Sequence, residues 1–424
     1  MVVERGLAVG CCWVLLGAVG IDPSEAIASR LSNGSPCRQR STMFPAFRRW
    51  WPTATPIFAS LLLTVLPVEG AGTGYKPIFN GRDLRGWVNV NCAPETFTVR
   101  DGMIHCDGIP TGALRTERQY ENFVLELEWR HLKSSGNAGV FIWSGPMPAL
   151  GQPFLRAIEV QVLDHGYGKS DWFTTHGDIF PIHGSTMKPF SPSRGDRSFP
   201  KESRSLGAPE WNHYRIVATN GVLRLSVNGV EVSGGTGCNW RRGYIALESE
   251  GGTVDWRNLR VQELPSTKVP LGQSAPDAQP WKSLYDGRSL RGWRVPVESE
   301  VWMASDWTLK GRAGLGGEAS ILWSEAQFNR DEVIFDWRWE GKTADRVPPL
   351  VFRPIRGGAI VRMPELAALR VDGWNRLRVR RSGGVLKVSA NDADEVSVEI
   401  PHGRLEFGFL PAPVPLQISS VFRR

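Results

Sequence analysis

The chain has little cysteine: six residues in 424, three of which (Cys11, Cys12, Cys37) sit near the N-terminus. The others, Cys92, Cys106 and Cys238, form no C-x-x-C pair, which argues against a zinc knuckle. A Cys92–Cys106 disulfide in an oxidising compartment and three buried thiols both remain open. No block of lysine or arginine stands behind the net charge of +7. Nucleic-acid binding calls for a basic stripe with exposed aromatics, so scattered charge argues against that partner. Helical periodicity is missing after residue 72, and no apolar run is long enough for a confident membrane span. What the chain does have is 18 Trp, 46 Gly and 30 Pro. Tryptophan at this density suits large sheet cores or sugar-stacking surfaces, and glycine with proline suits many short strands joined by turns.

Residues 43–72 read as a secretory leader. Arg48 and Arg49 supply the positive start, Ile57 to Val68 the short apolar stretch, and Val68 and Gly70 the small-residue approach to a cleavage before Ala71. Residues 1–42 resemble a second, weaker leader, and Met43 is the expected true start. The protein is expected to be periplasmic or secreted, with no stable membrane span once mature.

Internal similarity organises the rest. KPIFNGRDLRGW (76–87) recurs as KSLYDGRSLRGW (282–293). Leu114, Glu117, Tyr120, Trp129 and Arg130 match Leu322, Glu325, Phe328, Trp337 and Arg338. Trp211, Asn212, Gly221, Val222 and Leu223 then match Trp374, Asn375, Gly384, Val385 and Leu386, so the second copy is 45 residues shorter between these blocks. A linker with Pro265, Pro270, Pro276 and Pro280 separates the copies. The expected organisation is an N-terminal extension and leader over 1–72, a first domain over 73–264, a linker over 265–280 and a degenerate second copy over 281–424.

Both copies read as strands. Asp101-Gly102 lies between alternating runs and predicts a hairpin in which Val99 faces Ile104 and Phe97 faces Cys106. Phe123, Leu125, Leu127 and Trp129 share one face, as do Leu223, Leu225 and Val227. Many short strands with turn signals between them predict an all-β sandwich or jelly roll in each copy.

Most candidate chemistry lies between Ala157 and Lys188, where three of the seven histidines fall. In the strand AIEVQVLD, Ile158, Val160 and Val162 are expected in the core, with Glu159 and Gln161 on the opposite face. The strand delivers Asp164 and His165, and the loop after it adds Trp172, His176, Asp178, His183 and Lys188. Glu248 and Glu250 occupy same-face positions on another strand. A solvated loop with satisfied polar groups is the competing reading. Val361 stands where the first copy has Glu159, so the second copy keeps framework while losing these groups. His176, Asp178, His183 and His165 offer mixed nitrogen and oxygen donors for one divalent ion (calcium, manganese or zinc), although no H-E-x-x-H spacing is present. Trp172 is the candidate stacking surface; Trp211 recurs as Trp374 and reads as framework.

FNGRDLRGW, GNAGVFIW (136–143), AIEVQVLDH, THGDIFPIHG, EWNHYRIV and GYIALESEGG, taken in order over residues 76–263, resemble the 3-keto-disaccharide hydrolase family. Its members include 3-keto-glycoside 1,2-lyases and 3-keto-2-hydroxy-glucal hydratases. The resemblance implies a concanavalin-like jelly roll, action on oxidised sugars and often a divalent ion. It departs at LESEG, where Glu250 stands in place of a family histidine. On this reading an oligosaccharide or oxidised glycoside is the substrate. Glu159 or His165 is the base that takes the C2 proton, with Asp164 beside it. Gln161, Trp172, His183, Lys188 and Glu248 contact substrate, and His176 and Asp178 hold the ion. The alternatives are a non-catalytic carbohydrate-binding sandwich, a retaining glycosidase or a purely structural domain. Glu159 and Asp164, five apart, lie on opposite faces of a regular strand and do not make a retaining pair without a bulge.

Overall fold

The computed structural model describes residues 74–424 except 176, 297–298, 313–316, 330 and 342–345. The leader and the expected start at Met43 lie outside the described residues. Seventeen strands precede the linker: β1 (Tyr75–Pro77), β2 (Trp87–Val90), β3 (Phe97–Arg100), β4 (Met103–Cys106), β5 (Gly112–Thr116), β6 (Phe123–His131), β7 (Asn137–Ser144), β8 (Ala157–Leu163), β9 (Ile179–Ile182), β10 (Thr186–Pro189), β11 (Ser193–Arg194), β12 (Arg197–Ser198), β13 (Asn212–Thr219), β14 (Val222–Val227), β15 (Val230–Asn239), β16 (Tyr244–Ser249) and β17 (Val254–Glu263). Thirteen follow it: β18 (Lys282–Ser283), β19 (Trp293–Arg294), β20 (Trp302–Ser305), β21 (Thr308–Gly311), β22 (Leu322–Phe328), β23 (Glu332–Trp339), β24 (Leu350–Pro354), β25 (Val361–Arg362), β26 (Asn375–Ser382), β27 (Val385–Ala390), β28 (Val396–Glu399), β29 (Leu405–Phe409) and β30 (Leu416–Arg423).

Alternation decides how these strands stack. The hairpin at Asp101 pairs Phe97 with Cys106 and Val99 with Ile104, and Asp101 takes the positive φ of 49° that the tight turn requires. Phe123, Leu125, Leu127 and Trp129 enter one core with Leu223, Leu225 and Val227 from β14 and Ile158, Val160 and Val162 from β8. One sheet runs β10-β15-β14-β13-β6-β17-β4-β3, with β1 on β17; the other runs β11-β12-β9-β8-β7-β16-β5-β2. These two antiparallel sheets enclose the core and make a jelly-roll sandwich.

The second half repeats this plan strand for strand. Its sheets run β28-β27-β26-β23-β30-β21-β20, with β18 on β30, and β25-β24-β29-β22-β19. Reading β15, β14, β13, β6, β17, β4 and β3 onto the first, and β8, β7, β16, β5 and β2 onto the second, accounts for every strand. Only β9 to β12 have no counterpart among the described residues, and they lie in the stretch where the second copy is short. Equivalent side chains repeat equivalent bonds. Trp87 Nε1 donates to Ile78 O and Trp293 Nε1 to Leu284 O. Asn212 exchanges two bonds with the Leu206 backbone, and Asn375 does the same with Arg370. Tandem copies of one jelly roll, the second degenerate, are therefore visible in topology as well as in sequence.

Cys92, Cys106 and Cys238 are free buried thiols. Among the described residues, no helix is long and apolar enough to cross a membrane.

The copies share an apolar seam. Val90, Ala113, Phe141, Leu155, Ala157 and Ala246, on the outer face of the β8-β7-β16-β5-β2 sheet, pack against Ile334 and Phe422 of the second sandwich. A buried ion pair fastens it: Arg376 grips Asp336 at 2.6 and 2.7 Å and donates to Pro148 O, while Asp336 accepts from Gly151 N at 2.9 Å. Removing the cation leaves the fully buried Asp336 carboxylate uncompensated. Arg376→Gln is expected to cost about 3 kcal/mol at neutral pH, read by urea denaturation; a loss below about 1 kcal/mol would show that the clamp is not what holds the seam.

Candidate active site

On the outer face of the second-named sheet of the first sandwich, the order β8-β7-β16 brings together residues that are far apart in sequence. Phe141 pairs with Glu159, Gly139 with Gln161, and Ala246 with Phe141, so Glu248 falls beside Gly139 on its other side. Gly139 has no side chain to separate them. A Cβ placed there would lie 2.8 Å from Glu248 Oε2 and 3.1 Å from Glu159 Oε1, so the two carboxylates meet over this glycine. Glu250 stands one step along, past the end of β16, and accepts a hydrogen bond from Asn137 Nδ2. Asn137 Oδ1 in turn accepts from Gln161 Nε2 at 2.8 Å.

Burial sets the proton affinities of this cluster. Glu159 is 6% exposed and Glu248 1% exposed. Burial first, then the Glu250 charge, push Glu159 up to about 8, against an opposing pull from Arg197. Burial and the Glu159 and Glu250 charges hold Glu248 well above the usual carboxylate range. Glu250 is raised to about 7, by burial and then by Asp306 of the second sandwich. Glu248 Oε2 has no hydrogen-bond partner in the protein. Arg197 reaches the cluster from β12 with its guanidinium 3.4 Å from the Phe180 ring centre, and Phe180 pairs with Glu159. Tyr167, half exposed, is close enough for the Glu250 charge to raise its hydroxyl.

The remaining sequence candidates lie elsewhere or are committed. Asp164 accepts from Ala208 N, Gly166 N and Ser135 N at 2.7–2.8 Å and from Ser134 Oγ. Burial works to raise it, but these donors outweigh burial and hold it below its ordinary value. It is an ionised loop anchor, which is a poor position for a base. His165 is exposed, with its Nε2 2.9 Å from Ser205 Oγ. His176 lies outside the described residues. Asp178 is fully buried and bound by Thr174 N, Thr174 Oγ1 and Arg197. His183 stacks on Phe154 at 6.0 Å, and burial lowers it to about 4. Trp172 is 65% exposed under the Arg194 guanidinium. Lys188 lies on β10, in the opposite sheet. Trp211 sits between Arg130 and Arg257 at 4.6 and 3.8 Å, away from the cluster, as framework. The proposed ion finds no ready cage: among the described residues no three His, Cys, Asp or Glu side chains gather in a way that could hold one.

The sequence reading missed Asn137, Arg197, Tyr167 and Asp306. Only Asn137 carried a local signal, its same-face spacing with Gly139 at the start of β7. A cavity of about 610 Å³ lies on the opposite sheet, lined by Tyr75, Glu126, Glu128, His213 and Arg260. Its carboxylates are poor acid–base groups. Burial works to raise both, but the bonds from Arg260 and Tyr75 to Glu126 and from Arg257 to Glu128 win and lower them. Space alone does not make that cavity the reactive site.

Comparison with known proteins follows this geometry. Residues 74–262 match the family described as the 3-keto-alpha-glucoside-1,2-lyase-like domain. No curated protein matches the chain. Among solved structures, a candidate glycosyl hydrolase from Parabacteroides distasonis ATCC 8503 is 20% identical, with a TM-score of 0.35, over 45% of this chain and 94% of that one. The Bacillus licheniformis beta-glucanase is 14% identical, with a TM-score of 0.33, over 45% and 97%. The carbohydrate-binding module CBM66 from Bacillus subtilis is 12% identical, with a TM-score of 0.30, over 41% and 93%. These likenesses add nothing to the chemistry. The first sandwich thus matches the 3-keto-alpha-glucoside-1,2-lyase-like domain, and this match supports a carbohydrate-active protein.

Proposed function

We propose that the first sandwich cleaves 3-keto-glycosides by elimination across C1 and C2, with Glu159, Glu248 and Glu250 moving the protons. The observation that carries this reading is three carboxyl groups on one buried sheet face with raised proton affinities. Such coupled groups titrate together, so near neutral pH the cluster holds both protonated and ionised members. Elimination needs both. A ketone at C3 acidifies the C2 proton; an ionised carboxylate removes it, and the C–H electrons pass through the enolate to form the C1–C2 double bond. The C1–oxygen bond breaks, and a protonated carboxyl gives its proton to the leaving oxygen. Water adding across the new double bond, hydroxyl to C1 and proton to C2, makes the net result a hydrolysis.

Glu159 is the assigned base and Glu248 the assigned acid. Burial and the neighbouring carboxylates hold Glu248 well above the usual carboxylate range, and its unpartnered Oε2 supports a role in meeting a substrate oxygen. Arg197 supports the negative charge that develops on the C3 oxygen. Glu250 replaces the histidine expected from the resemblance, yet at about 7 it exchanges its proton in the range where an unperturbed imidazole does. Asp178 and Asp164 accept hydrogen bonds from protein donors, and the steps above are assigned to this chain's own carboxyl groups. The leader-like segment supports an exported protein, periplasmic or secreted.

A 3-keto-glucoside assayed beside its unoxidised parent tests the reading. Release of the aglycone is expected from the keto form alone, with losses of about 10²-fold or more in Glu159→Gln and Glu248→Gln. Equal turnover of the parent sugar, or tight glycan binding with no turnover of either sugar, would reject it; the second outcome would mark a binding module.

The same cluster makes stability depend on pH. Folding raises these carboxyls above their ordinary value of 4.5, so their contribution is full below that value and lost as pH climbs through about 7 to 8. Glu159→Gln and Glu248→Gln, which cannot ionise, are expected to raise the melting temperature by about 2–4 °C at about pH 8.5 and to leave it nearly unchanged at about pH 4. Scanning calorimetry at the two pH values reads this, and equal shifts at both would contradict the buried-acid account.

A further inference from the structure

Among the described residues the degenerate second sandwich has no counterpart of the acidic cluster, yet one of its turns reaches the first sandwich's site. We infer that the second sandwich is a working wall of that site and that Asp306 is its positioning residue, fixing the edge of the sheet beside Glu250. The inference rests on the proposed function only in calling the cluster catalytic.

Register places Asp306 there. Ser249 pairs with Gly112, so the next residues out, Glu250 and Thr111, are cross-strand neighbours. Asp306 accepts from Thr111 N at 2.8 Å and from Thr111 Oγ1 at 2.9 Å. The carboxylate that binds the Thr111 edge therefore lies alongside Glu250. The turn presenting it is itself held. Asp306 lies between β20 and β21 with φ of 50°, and Tyr285 Oη donates to Asp306 O at 3.1 Å and to Thr308 O at 2.7 Å. In the first copy the matching residue is Phe79, in KPIFNG against KSLYDG, and it has no hydroxyl to make these bonds.

The contact belongs to a continuous seam. Arg288 bonds Asp107 and Ile109 O, next to Thr111 in the chain, and Arg291 meets Glu95 at 3.1 Å. Ile334 and Phe422 cover the apolar part of the same sheet face, on which Phe141 is the direct strand partner of Glu159. With that part covered, the carboxyl cluster keeps its open side toward Glu250, Asn137 and Tyr167, which are only partly buried or exposed.

The groups that face Glu250 are Asn137 from β7, Glu159 from β8, Glu248 from its own strand, Tyr167 from the loop after β8, and Asp306 from the second sandwich. Asp306 is the one supplied by the other copy. A carboxylate there favours the protonated form of Glu250, so removing its charge lets Glu250 ionise at lower pH.

The test uses the full chain with 13C-labelled glutamate side chains. Carboxyl resonances are followed through a pH titration in wild type, Asp306→Asn and, as a control at the same seam, Arg291→Gln; Glu250→Gln assigns the Glu250 signal. The Glu250 midpoint is expected to fall by about half a pH unit or more in Asp306→Asn and to stay in place in Arg291→Gln. If keto-sugar cleavage is present, the rising limb of its pH–rate profile moves the same way. An unchanged midpoint in a folded Asp306→Asn protein, or an equal movement in Arg291→Gln, overturns the inference. The titration needs no substrate, so a protein with no activity on keto-sugars would sink the proposed function while this result still stood or fell by itself.

Discussion

The account depends on what it costs to put carboxyl groups on a covered sheet face. An ionised carboxylate taken out of water without a cation loses far more than a fold can spare, and the ordinary escape is to keep its proton. The second sandwich shows the other solution, since its buried Asp336 is gripped by Arg376. The cation that acts on Glu159 is Arg197, and it is shared with Asp178. Three acids and a fraction of one cation leave the cluster partly protonated at neutral pH. That is an unfavourable arrangement for stability and a useful one for moving protons.

Sheet order turns this constraint into a site. The carboxylates come from β8 and from the end of β16, with β7 between them, and Gly139 is the one position on β7 where a side chain would keep them apart. Duplication then explains the second copy. It preserves the tryptophan and asparagine bonds that hold the sandwich together, and it has no counterpart of β9 to β12, the strands that bring Phe180 and Arg197 to the first copy's cluster. With those gone, β25 is a two-residue strand in the place of β8; sequence matching set Val361 against Glu159, but Val361 packs on the inner core beside Phe352, the face opposite to that of Glu159. The second copy's other sheet covers its neighbour through Ile334 on β23 and Phe422 on β30.

Much of the framework was legible in the sequence because strand alternation is local. The Asp101 hairpin register, the inward faces of β6 and β14, and the outward placement of Glu159 and Gln161 all follow from a period of two. The duplication was legible for the same reason, as matching short blocks. The site was legible only in part. Residues next to Glu159 in sequence drew attention to His165 and Asp164, but the end of β8 turns them away onto Ser205 and the loop backbone. Lys188, in the same stretch, leaves for the opposite sheet. Arg197, Asn137, Tyr167 and Asp306 join the cluster through contacts that no spacing in the sequence encodes. The protonation of the cluster was equally hidden, since it depends on burial and on charges that only the folded chain brings together.

The fate of the hydrogen at C2 tests the central claim most directly. Cleavage of a 3-keto-glucoside in deuterated water, followed by mass spectrometry and proton NMR of the sugar product, reads it. Proton abstraction and rehydration predict one deuterium at C2 in the hydrated product and a matching loss of the C2 proton signal. A product that keeps its original C2 hydrogen would show that the bond breaks by direct displacement at C1, and the buried carboxyls would then need another role.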